Sequence, residues 1–273
     1  MSIFQAIILA IVQGITEFLP VSSSAHLALA PWLLGWSDQG LTFDIALHFG
    51  TLIAVLGYFA RDWAQILAQA FGVNYSPDPD LRLNRTLLWL LVAATIPIGV
   101  FGLTFQHAAE TTLRNPVIIG TMLVAVGLLM LLAERIGRRD RTIGGVTLPD
   151  AMAIGFAQAL AIVPGTSRSG ITITTALFRG LDRHSAGRFS FLLSTPAVAA
   201  AAAKAGYDLY KEGGIPPEMQ APFIVGVVAS AITGAVVIAL FLRYLRSHSL
   251  KFFIYYRIAF GIFILVLALF IRP

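Results

Sequence analysis

Gln13-Gly14-Ile15-Thr16-Glu17-Phe18-Leu19-Pro20-Val21-Ser22-Ser23-Ser24-Ala25-His26 sets a carboxamide, a carboxylate, serine hydroxyls and an imidazole inside sequence that is otherwise apolar. Its flanks, Ile3 to Val12 and Leu27 to Leu34, are almost wholly hydrophobic, yet each is too short to cross a bilayer, which takes roughly 17 to 25 residues. Apolar pieces of this length separated by a polar, proline-containing turn read as a helical hairpin that dips into the membrane and returns.

The rest of the chain fits that reading. Of its 273 residues 57% are hydrophobic and 12% charged, whereas an average soluble domain has about 25% charged residues. Six windows are long and apolar enough to span: Leu41–Ala60, Thr86–Phe105, Pro116–Ala133, Phe189–Ala203 extended to Tyr207, Pro222–Leu242 and Phe252–Ile271. A second pair of short pieces, Ala151–Val163 and Ile171–Phe178, flanks Pro164-Gly165-Thr166-Ser167-Arg168-Ser169-Gly170. No Lys or Arg precedes Arg61, so a basic secretory leader is not expected and the first hydrophobic stretch is read as retained. There is no cysteine, which excludes disulfide and thiolate chemistry. The net charge of +5 comes from basic residues scattered over loops, without the aromatic-interleaved patch of a nucleic-acid surface, so nucleic acid is excluded as a partner.

The two interruptions resemble each other. Gln13 leads to Pro20 and Ser22-Ser23 as Gln158 leads to Pro164 and Thr166-Ser167, and Phe43 to Tyr58 is echoed by Phe189 to Tyr207. This predicts a duplication with halves 1–140 and 148–273, each a hairpin followed by three spans. Three crossings invert the second half. The expected architecture is an all-α polytopic membrane protein, six transmembrane helices plus two re-entrant helix-turn-helix hairpins, arranged as inverted-topology repeats. Most basic loop residues, from Arg61 through Arg135 and Arg188 to Lys251, then share one face, against Arg114, Lys204, Lys211 and Arg272 on the other. The positive-inside rule makes the first face cytoplasmic and places both termini, with the Glu110 and Glu212 loops, outside.

The chemistry gathers at the two tips. Gln13 and Glu17 share a helix face, and a short helix after Pro20 would bring His26 over Ser22 or Ser23. Small residues also let membrane helices pack closely, with His26 simply hydrogen-bonded across. An ionisable Glu17 at depth, costing about 2.5–3.5 kcal/mol, tips the reading toward function. Arg168, flanked by Ser167 and Ser169 with Thr172 four residues on, either only neutralises Glu17 or clamps phosphate oxygens in bidentate fashion. Hydroxyls and free N–H groups where a helix begins near Ser169 would add donors. The run Gly165 to Thr172 has P-loop glycine spacing but lacks the lysine, which excludes nucleotide hydrolysis. A phosphate clamp, hydroxyls, an imidazole and a carboxylate together suit phosphoryl transfer. His48 reads first as a packed, hydrogen-bonded side chain, with a place on the cavity wall, echoed by Ser194, as the alternative, and Arg257 as snorkelling to the interface. His107, His184 and His248 read as loop residues without metal-ligand spacing, and Tyr58 and Tyr207 as interface anchors.

At Gln13 to His26 and at Pro164 to Thr172, in this order, the sequence resembles the undecaprenyl-diphosphatase family, the bacitracin-resistance proteins of bacterial inner membranes, over essentially the whole chain. The resemblance implies hydrolysis of undecaprenyl diphosphate to the monophosphate, which recycles the lipid carrier of cell-wall synthesis, with dependence on a divalent cation, Mg²⁺ or Ca²⁺. It implies that Glu17, Ser23, His26 and Arg168 match catalytic positions and that Gln13, Ser22, Ser167, Ser169 and Thr172 match supporting, substrate-binding ones, with Glu17 partly holding the metal. Gln13 stands where many members have Glu, removing a metal-binding charge, and Ala25 where Gly is common.

The mechanism expected is attack by Ser23 on the terminal phosphorus with His26 or Glu17 taking its proton; His26 itself or a cation-activated water is the alternative nucleophile. The partners expected are the polyprenyl diphosphate lipid and the bilayer, with the oligomeric state open between monomer and homodimer. An inverted-repeat transporter or flippase for a polyprenyl phosphate lipid is the competing class.

Overall fold

The computed structural model describes residues 1–37, 40–110, 112–211 and 213–271, with side chains omitted at 41, 42, 106–110 and 271. Glu212, Arg272 and the side chains of His107 and Glu110 lie outside the described residues. The chain is a helical membrane protein. Its α-helices are α1 (Ile3–Phe18), α2 (Ser23–Leu34), α3 (Leu41–Tyr58), α4 (Ala60–Ala70), α5 (Pro79–Arg82), α6 (Leu87–Glu110), α7 (Pro116–Ile136), α8 (Leu148–Ala159), α9 (Arg168–Phe178), α10 (Arg183–Lys211), α11 (Pro217–Leu245) and α12 (Lys251–Val266).

Five helices, α6, α7, α10, α11 and α12 with its extension, are long and apolar enough to cross a membrane; α3 and α4, bent by 70° at their junction, make a sixth if the pair is one span. Large apolar side chains such as Ile96, Leu103, Ile232, Leu240 and Phe252 point outward, as hydrocarbon contact requires. His184, read as a loop residue, lies in the first turn of α10.

Local chemistry sets the short helices that matter. Ser2 and Gln5 form a capping box at the start of α1. Pro20 ends that helix by holding Leu19 extended (φ −72°, ψ 144°), so α1 runs on past Val12 and carries Gln13 and Glu17 as its last polar residues. Gly35, at φ 68°, closes α2 in the left-handed conformation. The second pair is built likewise, with Thr147 and Asp150 capping α8 and a short 3₁₀ turn, Leu160–Ile162, leading to Pro164.

Asp150 in the first turn of α8 binds Arg179, just past the end of α9, at 2.7 Å, and Arg141 at 2.7 Å. The α8–α9 pair is thus a hairpin pinned where its two ends meet. Around the same end, Glu134 closing α7 binds Arg183 opening α10 at 2.6 Å, and Arg188 bridges Asp62 at 2.7 Å and Asp78 at 3.0 Å.

Helix α11 supports the first hairpin by close approach. A Cβ at Gly14 would stand 2.6 Å from Thr233 Cβ, so α1 lies on α11 at a distance only glycine permits. Helix α3 also packs on α11, meeting α1 over Gly234, and α12 packs on α7.

Candidate active site

The two turns share one backbone design. Ser22 (φ 76°, ψ 94°) and Ser167 (φ 68°, ψ 112°) both adopt a positive φ that L-residues rarely take. Each serine caps the helix that follows, Ser22 Oγ accepting from Ala25 N at 3.4 Å and Ser167 Oγ from Gly170 N at 3.0 Å. Each also meets the hydroxyl two residues on, Ser24 or Ser169, at 3.3 Å. The structural register therefore pairs Ser22 with Ser167, one residue away from the pairing suggested by the prolines. In that register Ser23 and Arg168 occupy the same place, first residue of the helix, on α2 and α9.

Arg257 of α12 holds the two turns together. Its side chain has no solvent exposure, although its sequence position suggested snorkelling. Nη1 donates to Pro20 O at 3.0 Å, Nη2 to Gly165 O at 2.9 Å and Thr166 O at 3.0 Å, and Nε to Leu123 O at 3.0 Å. These turn carbonyls have left helical geometry, and a forked guanidinium can serve all of them at once. Ser169 Oγ adds a stitch by donating to Leu19 O at 3.0 Å.

On this frame Glu17 is the hub. Its Oε2 accepts from Ser23 Oγ at 2.6 Å and from Gln13 Nε2 at 3.0 Å, and His48 Nε2 lies 3.4 Å away. Its Oε1 pairs with Arg168 Nη2, and Arg168 Nη1 donates to Ser194 O at 3.1 Å. The Arg168 side chain as a whole is 15% exposed. The two hairpins thus contribute a hydroxyl on a carboxylate and a cation beside it.

His26 does not face Ser23. Its Nδ1 is 2.7 Å from Ser22 O and its Nε2 is 2.8 Å from the Tyr256 hydroxyl, so the three-residue spacing to Ser23 does not produce a Ser–His pair. The reason is the cap: Ser22 stands outside the helix, which turns its carbonyl toward the imidazole four residues on. Ser22, Ser167 and Ser169 use their hydroxyls to build the turns. Thr172, fully buried, bonds Ser190 Oγ at 2.7 Å and Arg168 O at 2.7 Å, bracing α9 against α10.

His48, read first as a packed side chain, lies against Glu17, with its Nδ1 on Asp44 O at 2.7 Å. The signal for it was present as one imidazole in the apolar run from Ile45 to Val55, but its partner is far away in sequence.

Among the described residues no group of three or more His, Cys, Asp or Glu could hold a metal ion. One feature does suit a hard cation: Gln13 Oε1 is buried without a hydrogen-bond partner beside the Glu17 carboxylate. Mg²⁺ is commonly held by one or two carboxylates completed by substrate phosphates, so these two oxygens fit a cation that arrives with the substrate.

The family model described as bacitracin resistance protein BacA matches residues 6–263. Undecaprenyl-diphosphatase of Gemmatimonas aurantiaca is 47% identical over 262 residues, covering 96% of this chain and 96% of its own length. The protein of the same description from Thermodesulfovibrio yellowstonii is 48% identical over 257 residues, 93% of each chain. That of Desulforudis audaxviator is 45% identical over 270 residues, 98% of this chain and 99% of its own. With a match reaching from α1 to the interior of α12 and relatives aligned nearly end to end, this chain belongs to the bacitracin resistance protein BacA family.

Proposed function

We propose that this protein hydrolyses undecaprenyl diphosphate to undecaprenyl phosphate and phosphate, in the bacterial plasma membrane, returning the lipid carrier to cell-wall synthesis. The observation that carries the chemistry is the Ser23 hydroxyl donating to Glu17 at 2.6 Å while Arg168 pairs with the other carboxylate oxygen. A hydroxyl on a carboxylate, next to an arginine, is an activated nucleophile beside an anion clamp.

In the first step the terminal phosphate draws Arg168 away from Glu17, and the freed carboxylate becomes the base. Ser23 Oγ forms a bond to the terminal phosphorus, its proton passes to Glu17 Oε2, and the bond to the bridging oxygen breaks to release undecaprenyl phosphate. In the second step water attacks the phosphoserine, its hydrogens leaving with the phosphate, while Glu17 returns its proton to Ser23 Oγ. Gln13 Oε1 and Glu17 would hold a divalent cation, which supplies charge neutralisation on the diphosphate oxygens. Gln13 in place of a second carboxylate leaves that site with one protein charge.

The proposed topology is two re-entrant hairpins, α1–α2 and α8–α9, in inverted repeats 1–140 and 148–273, with six spans counting α3–α4 as one. The pinned ends of α8 and α9, the matched turns at Ser22 and Ser167 and the basic face of the loops support it. Both termini then lie outside, and the lipid tail lies against apolar spans through a lateral opening.

The test is phosphate release from a polyprenyl diphosphate by the purified protein in detergent, with and without chelator. Release that the chelator suppresses supports the reading. No release from folded protein would favour the competing class, a lipid-phosphate transporter built on the same repeats.

A further inference from the structure

Tyr256 and Arg257 are neighbours on α12, and while Arg257 serves the frame, Tyr256 reaches the imidazole of His26. Nothing in the sequence motifs points to this tyrosine, which lies 230 residues from its partner.

The two bonds on the imidazole determine its state. Ser22 O is a carbonyl and can only accept, so the bond to Nδ1 at 2.7 Å requires the proton on Nδ1. In the neutral ring Nε2 is then an acceptor, and the only hydrogen that can fill the 2.8 Å contact is the phenolic one of Tyr256. Should the ring gain a proton at Nε2, the same hydroxyl turns and accepts it, since a phenol both donates and accepts. The ring is further confined by near-parallel, offset neighbours, Tyr256 with centroids 5.9 Å apart and Phe260 with centroids 4.9 Å apart.

We propose that Tyr256 is a positioning residue of the reaction: its hydroxyl holds His26 in the Nδ1–H tautomer, the one that donates to Ser22 O and so fixes the turn next to Ser23. The proposal deepens the hydrolase reading and rests on it. Tyr256 is partly exposed, at 41%.

The test is Tyr256→Phe, which deletes one oxygen and keeps the stack. Turnover on a polyprenyl diphosphate in detergent is expected to fall about tenfold, as for partners in one hydrogen-bond network, with KM within about twofold. In a His26→Ala background the same change is expected to cost less than about twofold, because the residue acts through the imidazole. An equal loss in both backgrounds, or a loss confined to KM, overturns the proposal.

A second readout needs no turnover. In protein labelled with ¹⁵N-histidine, with His26→Ala identifying the resonances, His26 is expected as a single neutral tautomer protonated at Nδ1, and Tyr256→Phe is expected to shift Nε2. A proton on Nε2 in the wild type, or resonances unchanged in the variant, overturns it. Wild-type protein that releases no phosphate would remove the hydrolase reading, and the pair would still be judged on its resonances.

Discussion

Arg257→Lys, ordinarily a mild exchange, is expected to disable the protein. The arginine is fully buried and donates to four carbonyls, those of Pro20, Leu123, Gly165 and Thr166, at 2.9 to 3.0 Å. These come from three separate stretches of chain and surround a planar fork. An ammonium is a compact charge with fewer donors and no fork, so about two of the four carbonyls lose their partner. A buried acceptor left unpaired costs about 1–3 kcal/mol, and the desolvation of the cation is not relieved because the charge stays. The expected destabilisation is about 3 kcal/mol, which at roughly 2–4 °C per kcal/mol lowers the melting temperature by about 6–12 °C. Arg257→Met removes more hydrogen bonds but also the buried charge, whose desolvation costs several kcal/mol, so it should be no worse than lysine. Because the same bonds hold Ser23 and Glu17 opposite Arg168, a shift of about 1 Å between the tips is expected to lower turnover about 100-fold. Thermal unfolding in detergent and phosphate release assayed well below the melting temperature separate the two effects. A lysine variant that melts within about 2 °C of wild type and turns over at a comparable rate would refute the clamp.

Four further outcomes follow from the geometry. Ser23→Ala should reduce turnover by roughly three orders of magnitude or more and abolish any phosphorylated serine trapped by rapid quench; near-full turnover would remove Ser23 as nucleophile. Glu17→Gln keeps an acceptor for Ser23 but not a base, and kcat should fall about 10²- to 10⁴-fold while the protein stays folded, as gel filtration would show. Gly170→Ala puts a methyl 2.6 Å from Arg257 Nη1 and 3.0 Å from Ser167 Cβ, and unfolding measurements should show a loss of about 1–3 kcal/mol. At Asp150, burial opposes the charge, but hydrogen bonds from Arg141, Thr147 and Arg179 outweigh it and hold the carboxyl well below the usual range. A depressed carboxyl stabilises the fold above its unfolded value of about 3.9, and the contribution is lost as pH falls through the folded value. Thermal melts from about pH 6 down to pH 3 should show a drop in the wild type below about pH 4 that is absent in Asp150→Asn, whose stability is already reduced at neutral pH.

Much of the site was legible because charge inside apolar sequence is conspicuous. Glu17 and Arg168 stand out by composition alone, and the structure joins them across 151 positions. The two helix breaks were legible from the polar turns at Pro20 and Pro164 between apolar pieces. What sequence spacing misjudged was the partner of each polar group. Three residues separate Ser23 from His26, yet the imidazole turns back to a carbonyl, and the serine finds the carboxylate six residues before it. Arg257 was misread, and His48 was left between packing and the cavity wall, for one physical reason: an arginine or histidine in a span has the same local sequence whether it faces the interface or the core. Burial against carbonyls of other segments is a tertiary fact. The serine register could have been found by aligning Ser22 with Ser167 instead of Pro20 with Pro164, since both serines lie nine positions after their glutamines.

The placement of the clamp on α12 also orders events during synthesis. Pro20 and Arg257 are 237 positions apart, and ribosomes add about 5–20 residues per second, so the first turn emerges on the order of 10–50 s before the arginine that fastens it. Arg168, 151 positions after Glu17, is made before that interval ends, so a chain stopped before α12 would hold Glu17, Ser23 and Arg168 without the means to align them. Catalytic competence is thereby a property the ribosome confers last.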